Sequence, residues 1–209
     1  MRIITISREF GSGGRELGKR IAQTLGCDYY DSEIISAVAK NSGLDAHYVE
    51  NTLDNHGWQD FTITFGGTIH SMEYLQASKI ELLIQQRKVI EEFAALGKDC
   101  VIIGRNADVI LKAYHPFNLF VCADRDAKLA RCRERAREEE HLTDRELLRK
   151  MREIDKARAR TRDFLSGTEW GQREAYHLIV NTSGWDMKTL SDAVAHFAER
   201  WFESRNTDQ

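Results

Sequence analysis

The chain has 209 residues, 42% of them hydrophobic and 30% charged, with one proline and fourteen glycines. This excludes collagen-like, low-complexity and disordered classes and leaves one globular unit large enough to carry an inserted subdomain. Thirty basic and 33 acidic residues give a formal net charge of −3, so no general attraction to nucleic acid or an anionic membrane is expected and any anion site has to be local.

A β-branched run, Arg2 to Ser7, predicts an opening strand, and a glycine cluster follows it at once. Leu17, Ile21 and Leu25 recur at helical spacing, with Gly26 as the left-handed stop. Asp28-Tyr29-Tyr30 reads as a short second strand, after which Asp31 or Ser32 can cap a helix carrying Ile35, Val38 and Ala39 and ending near Gly43. A shorter helix is predicted from Asp45 to Asn55, an ordered loop or weak hairpin from Gly57 to Thr68, and a long helix from Ser71 to Leu96. Cys100 to Ile103, Asn118 to Cys122 and His177 to Val180 are apolar without alternation, the pattern of strands buried on both faces, and helices lie between them. The region 124–163 holds 14 lysines and arginines against 11 acidic residues. Thr143 and Glu146 form a capping-box pattern inside it, which predicts a helical hairpin of roughly 15 and 17 residues. A closing helix is predicted from Asp186 to Phe202, with Leu190, Val194, Phe197 and Trp201 on one face.

The apolar runs are far shorter than the roughly 20 residues that span a bilayer. The start of the chain also lacks a secretory pattern, so a cytoplasmic location is expected. Cys27, Cys100, Cys122 and Cys132 are widely spaced and are expected to be free thiols. The histidines show no metal-ligand spacing, and no serine sits in a G-x-S-x-G elbow.

The chemistry is concentrated in Arg8-Glu9-Phe10-Gly11-Ser12-Gly13-Gly14-Arg15-Glu16, between the first strand and the first helix. Glycines there let the backbone turn tightly with its N–H groups inward, and the helix N-terminus adds about half a positive charge, so phosphate is the ligand such a turn suits. A dinucleotide fingerprint would want a glycine where Glu16 stands. The P-loop pattern G-x-x-x-x-G-K-[ST] is not met literally either. Placed without gaps, its first glycine falls on Arg8, its second on Gly13, its lysine on Gly14 and its hydroxyl residue on Arg15; with one residue of slip, Arg15 takes the lysine's place. Glu16 can help hold magnesium or simply favour the helix N-terminus, and Asp31 can contact magnesium or the acceptor, or cap a helix.

Ile4 to Gly18 resembles the opening signature of the cytidylate kinase-like family, a branch of the P-loop nucleoside monophosphate kinases. Tyr29-Tyr30-Asp31 is similar to that family's second strand and turn, and Ile102-Ile103-Gly104-Arg105 to its G-R-D segment. Phe120 to Ala123, followed by Asp126, Lys128, Arg131 and Arg133, resembles the strand leading into the lid. Asp155-Lys156-Ala157-Arg158 resembles the lid's D-x-x-R return, and Val180 to Ser183 the strand before the last helix.

The resemblance implies a three-layer α/β fold with a five-stranded parallel sheet: a core at 1–30, 97–123 and 164–209, a helical acceptor-binding insertion at 31–96 and a helical lid at 124–163. It implies phosphoryl transfer from ATP with magnesium to a nucleoside monophosphate, (d)CMP or a related small phosphate acceptor. On this reading Gly11, Ser12, Gly13, Gly14, Arg15 and Glu16 cradle the donor phosphates, and Arg15 replaces the lysine. Arg131, Arg133, Arg158 and Arg162 approach the transferring group when the hairpin closes. Asp31, Arg105, Asn106 and Asp108 hold the acceptor, and Trp58, Phe61 and Phe65 stack on its base, anchor their loop to the core or make a dimer contact. The expected partner is a small-molecule nucleotide, with a homodimer possible and neither nucleic acid nor membrane involved. The sequence departs from cytidylate kinases proper at the absent lysine, at Asn106 in place of the G-R-D aspartate, and in the lack of an arginine soon after Asp31. A nucleotide-binding regulatory protein with a degenerate loop is the alternative from another class, and a dinucleotide-dependent oxidoreductase a third.

Overall fold

The computed structural model describes residues 1–54, 69–135 and 142–206. Five strands form one parallel sheet: β1 (Ile3–Arg8), β2 (Asp28–Tyr30), β3 (Cys100–Ile103), β4 (Phe117–Cys122) and β5 (Leu178–Asn181), in the order β2-β3-β1-β4-β5. Every residue of the central strand β1 is buried, which is why the β-branched opening run carries no polar alternation. Its side chains divide by parity. Ile4 and Ile6, with Val101, Ile103, Phe117, Leu119 and Val121, pack beneath α1 (Gly14–Leu25) and α8 (Met187–Asn206). Ile3, Cys100 and Ile102 pack on the other side against α2 (Ser32–Ser42), α3 (Ala46–Asp54) and α4 (Ile69–Ala95).

Gly18 brings α1 down onto the sheet, for a Cβ there would lie 2.4 Å from Ile103 Cδ1 and 2.9 Å from Ile6 Cδ1. Gly26 (φ 62°) and Gly43 (φ 69°) end α1 and α2 in the left-handed conformation, as their place after each helical run predicts. Asp31 occupies the position before α2, yet its side chain makes no capping bond there. After β3 come a one-turn helix, α5 (Ala107–Ile110), and a short 3₁₀ turn, Lys112–Tyr114. The arginine-rich region forms α6 (Arg125–Arg135) and α7 (Asp144–Ser166). Both halves of the Thr143–Glu146 capping box are present, and α7 runs 23 residues to its Gly167 cap, longer than expected. None of the described helices is long and apolar enough to cross a membrane.

β1 has β3 on one side and β4 on the other, so the chain's connections diverge at its carboxyl end. In open parallel sheets that divergence opens a crevice for ligands. The opposite end is closed by aromatic packing, with the fully buried Phe117 ring 5.2 Å from Trp201 and 6.4 Å from Phe202. Phe117→Ala is expected to lower unfolding free energy by about 3–5 kcal/mol, as measured by urea denaturation.

Beside this cluster, the Asn118 N–H donates to His177 Nδ1 at 2.9 Å. Burial, and then the charge of Arg205, hold His177 below its ordinary pKa of 6.5. The unfolded chain therefore takes up that proton first as pH falls, so the contribution is complete above pH 6.5 and declines below it. Replacing His177 with Gln should flatten that part of the stability–pH curve in denaturation at stepped pH.

Candidate functional site

The segment joining β1 to α1 is held in shape from outside. Gly11 (φ 75°) and Gly13 (φ 81°) are left-handed. A Cβ on Gly11 would lie 2.9 Å from Cys132 Sγ and 3.2 Å from the Lys128 carbonyl oxygen, so α6 presses directly on the loop. Ser12 is fully buried and donates through Oγ to the Glu9 carbonyl at 2.8 Å. Its own carbonyl accepts from Thr182 Oγ1 at 2.7 Å and from Arg131 Nη1 at 3.1 Å. No side chain caps the N-terminus of α1, which leaves the positive end of the helix dipole for an anion.

At the end of β3 the chain runs through three consecutive left-handed residues, Gly104 (φ 65°), Arg105 (φ 58°) and Asn106 (φ 52°). Such a conformation costs about 1–3 kcal/mol at a non-glycine residue and persists only where the surroundings enforce it. Here the Gly104 N–H donates to the Ile6 carbonyl at 2.8 Å, and the buried Gln86 amide donates to the Arg105 carbonyl at 3.3 Å. Between this turn and the insertion lies a small cleft open to solvent. Ser7 and Arg8 form its floor, and Leu53 and Leu83 of α3 and α4 its apolar wall. Arg105, Asn106, Arg158 and Trp170 complete it.

The helix returning from the lid is tied to the loop by two residues. Asp155 Oδ1 accepts from the Phe10 N–H at 2.8 Å and from Arg158 Nη1 at 3.0 Å, and Arg158 Nη1 also donates to the Arg8 carbonyl at 3.0 Å. Burial pushes the Asp155 carboxyl up, against the opposing pull of Arg158 and the Phe10 N–H. Arg8 is 8% exposed. Burial and then the neighbouring charges of Arg158 and Arg105 bring its pKa down to about 9, so it remains cationic at neutral pH. Three guanidiniums thus converge on one cleft, an arrangement that favours an anion of more than one charge.

The residues expected at the site are distributed among several tasks. Gly11 to Gly14 form the loop, and Arg105, Asn106 and Arg158 line the cleft. Arg15 is half exposed, with Nε 2.8 Å from Asp31 Oδ2. Glu16 accepts from Arg20 and from Arg135. Arg131 bonds the carbonyls of Gly11, Ser12 and Thr182 and so braces the loop. Arg162, expected to approach the transferring group, and Asp108, expected to hold the acceptor, are instead almost fully buried and paired with each other; Arg162 also donates to Thr168 and lies 5.4 Å from the Tyr176 ring centre. Arg133 pairs with Asp144. Trp58, Phe61 and Phe65 lie outside the described residues.

Three participants were not read from the sequence. Arg8 carries a signal there, since ungapped placement sets it where a glycine belongs and sets Gly14 where the lysine belongs. Trp170 and Gln86 carry none, because their approach depends on how the insertion and the segment after α7 pack.

Parallel sheet, glycine loop and cleft together define the fold of a P-loop kinase. The structure matches a protein of unassigned function from Eubacterium ventriosum ATCC 27560 with a TM-score of 0.69 and 24% identity, over 95% of this chain and 99% of that one. It also matches shikimate kinases from Bacteroides thetaiotaomicron (TM-score 0.56, 16% identity, 95% and 98% covered) and from Acinetobacter baumannii in complex with shikimate (TM-score 0.53, 14% identity, 94% and 92% covered). No curated protein matches the sequence. The model of the cytidylate kinase-like family matches residues 3–184, and the chain belongs to that family.

The buried pair generates a prediction. Asp108→Ala leaves the Arg162 charge buried without its carboxylate and is expected to cost about 3–5 kcal/mol of stability. Chemical denaturation of the single and double variants should show coupling between the two positions.

Proposed function

We propose that the protein transfers the γ-phosphoryl group of ATP to a small acceptor that itself bears a phosphate, a nucleoside monophosphate of the cytidylate type. The observation that carries this reading is the convergence of Arg8, Arg105 and Arg158 on a cleft beside the glycine loop. Phosphoryl transfer asks a protein for positioning and for neutralisation of charge rather than for a nucleophile of its own.

The donor triphosphate fits the left-handed glycines and the uncapped start of α1. Magnesium bound with ATP would offset the negative charge of the phosphates. Asp31 suits a role toward that ion or toward an acceptor hydroxyl, since its Oδ1 is buried with no hydrogen-bond partner while Oδ2 is engaged by Arg15. Arg105 and Arg158 suit the acceptor's phosphate, Asn106 the polar edge of its base or sugar, and Trp170 with Leu53 and Leu83 an apolar surface for the base.

A coupled assay of ATP consumption with CMP, dCMP, UMP, AMP and shikimate tests the reading. Turnover is expected with the cytidine monophosphates. ATP binding without turnover of any acceptor overturns the proposal in favour of a nucleotide-binding protein that has lost the reaction. Arg105→Ala is expected to raise the acceptor KM about 10- to 100-fold, the loss of a hydrogen bond to a charged group, with the KM for ATP nearly constant in the same assay.

A further inference from the structure

Two of the loop's departures from the P-loop pattern, at Arg8 and at Gly14, lie six residues apart in sequence and meet in space. A Cβ on Gly14 would fall 2.6 Å from Arg8 Cβ and 3.0 Å from its Cγ. The root of any side chain on residue 14 is thus occupied by the stem of Arg8. At its other end, Arg8 Nη1 lies 1.7 Å from where a Cβ on Gly104 would stand. The guanidinium therefore crosses from the end of β1 to the turn after β3 and forms part of the cleft floor beside Arg105. It is 8% exposed, and among the described residues no carboxylate lies within ion-pair distance of it.

We infer that Arg8 supplies to the transferred phosphoryl group the positive charge that a P-loop lysine supplies from the first turn of the helix, and that residues 14 and 104 are glycines so that it can reach there. The inference rests on the kinase reading given above. The stem of Arg8 passes under the donor loop and its tip lies against the acceptor wall, so the guanidinium occupies the region where a phosphoryl group would pass from one to the other. A guanidinium can hold two of its oxygens at once, which a lysine ammonium does only as a point charge. Arg15, the alternative by slipped placement, is 53% exposed at its side chain and paired with Asp31.

The test uses the full chain with whichever acceptor the wild type turns over. Arg8→Met is expected to lower kcat by about 100-fold or more, with ATP affinity by calorimetry and acceptor KM each changing less than about tenfold. The double variant Arg8→Gly/Gly14→Lys, which restores the first glycine and the lysine of the ordinary pattern, should regain much of the lost kcat. Thermal unfolding reports whether each variant folds, and where Arg8→Met does not, Arg8→Gln carries the same expectation. A kcat for the folded Arg8 variant within about threefold of wild type, a folded double variant no faster than Arg8→Met, or a larger kcat loss in Arg15→Ala overturns the inference. If the wild type turns over no acceptor, the kinase reading fails separately. Titration with inorganic triphosphate then decides for Arg8: weaker binding by Arg8→Met keeps its phosphate role, and equal binding removes it.

Discussion

The passage of one arginine between two glycines sets the geometry on which the site depends. Arg8 leaves the central strand where a glycine is usual, and it can do so only because neither residue 14 nor residue 104 has a Cβ to stand in its way. Its burial next to Arg105 and Arg158 requires rigid surroundings, since like charges in a low-dielectric cleft repel one another. That rigidity comes from the left-handed turn at 104–106, from Gln86 behind it and from Asp155 and Arg158 on α7.

Carboxylates decide which of the remaining arginines stay available. Asp31 engages Arg15, Asp108 engages Arg162 and Asp155 engages Arg158. The Arg162–Asp108 pair is almost completely shielded, and with Thr168 and Tyr176 around it, it joins α7 to α5 as structure. Arg158 keeps a place on the cleft while anchoring the loop, so one residue links the returning helix to both. Arg131 works from behind the loop through carbonyl oxygens. An arginine-rich helix therefore reads in sequence as a set of equivalent charges, although its members do different things.

Much of the fold was legible because its signals are local. The five strands, the glycine stops at 26 and 43 and the Thr143–Glu146 box each depend on neighbours within a few positions. The glycine turn between β1 and α1 was legible for the same reason. What escaped were contacts between distant segments. Asp31 can be read as a helix cap until Arg15 is seen to take its carboxylate, and Arg162 reads as a lid arginine reaching the transferring group until Asp108 is found beside it. Arg8 was half legible, since its displacement from the glycine pattern could be read but the space left for it by Gly14 and Gly104 could not.

The anchoring of the Phe10 N–H by Asp155, and of the Arg8 carbonyl by Arg158, spans 145 and 150 positions. A nascent chain emerging from the ribosome cannot pair its first strand until residues 100–103 and 117–121 have followed, and the support for the loop after that strand is synthesised later still. Truncated translation products would therefore present an unbraced loop, and assembly of the site becomes a late event that reports on completion of the whole domain.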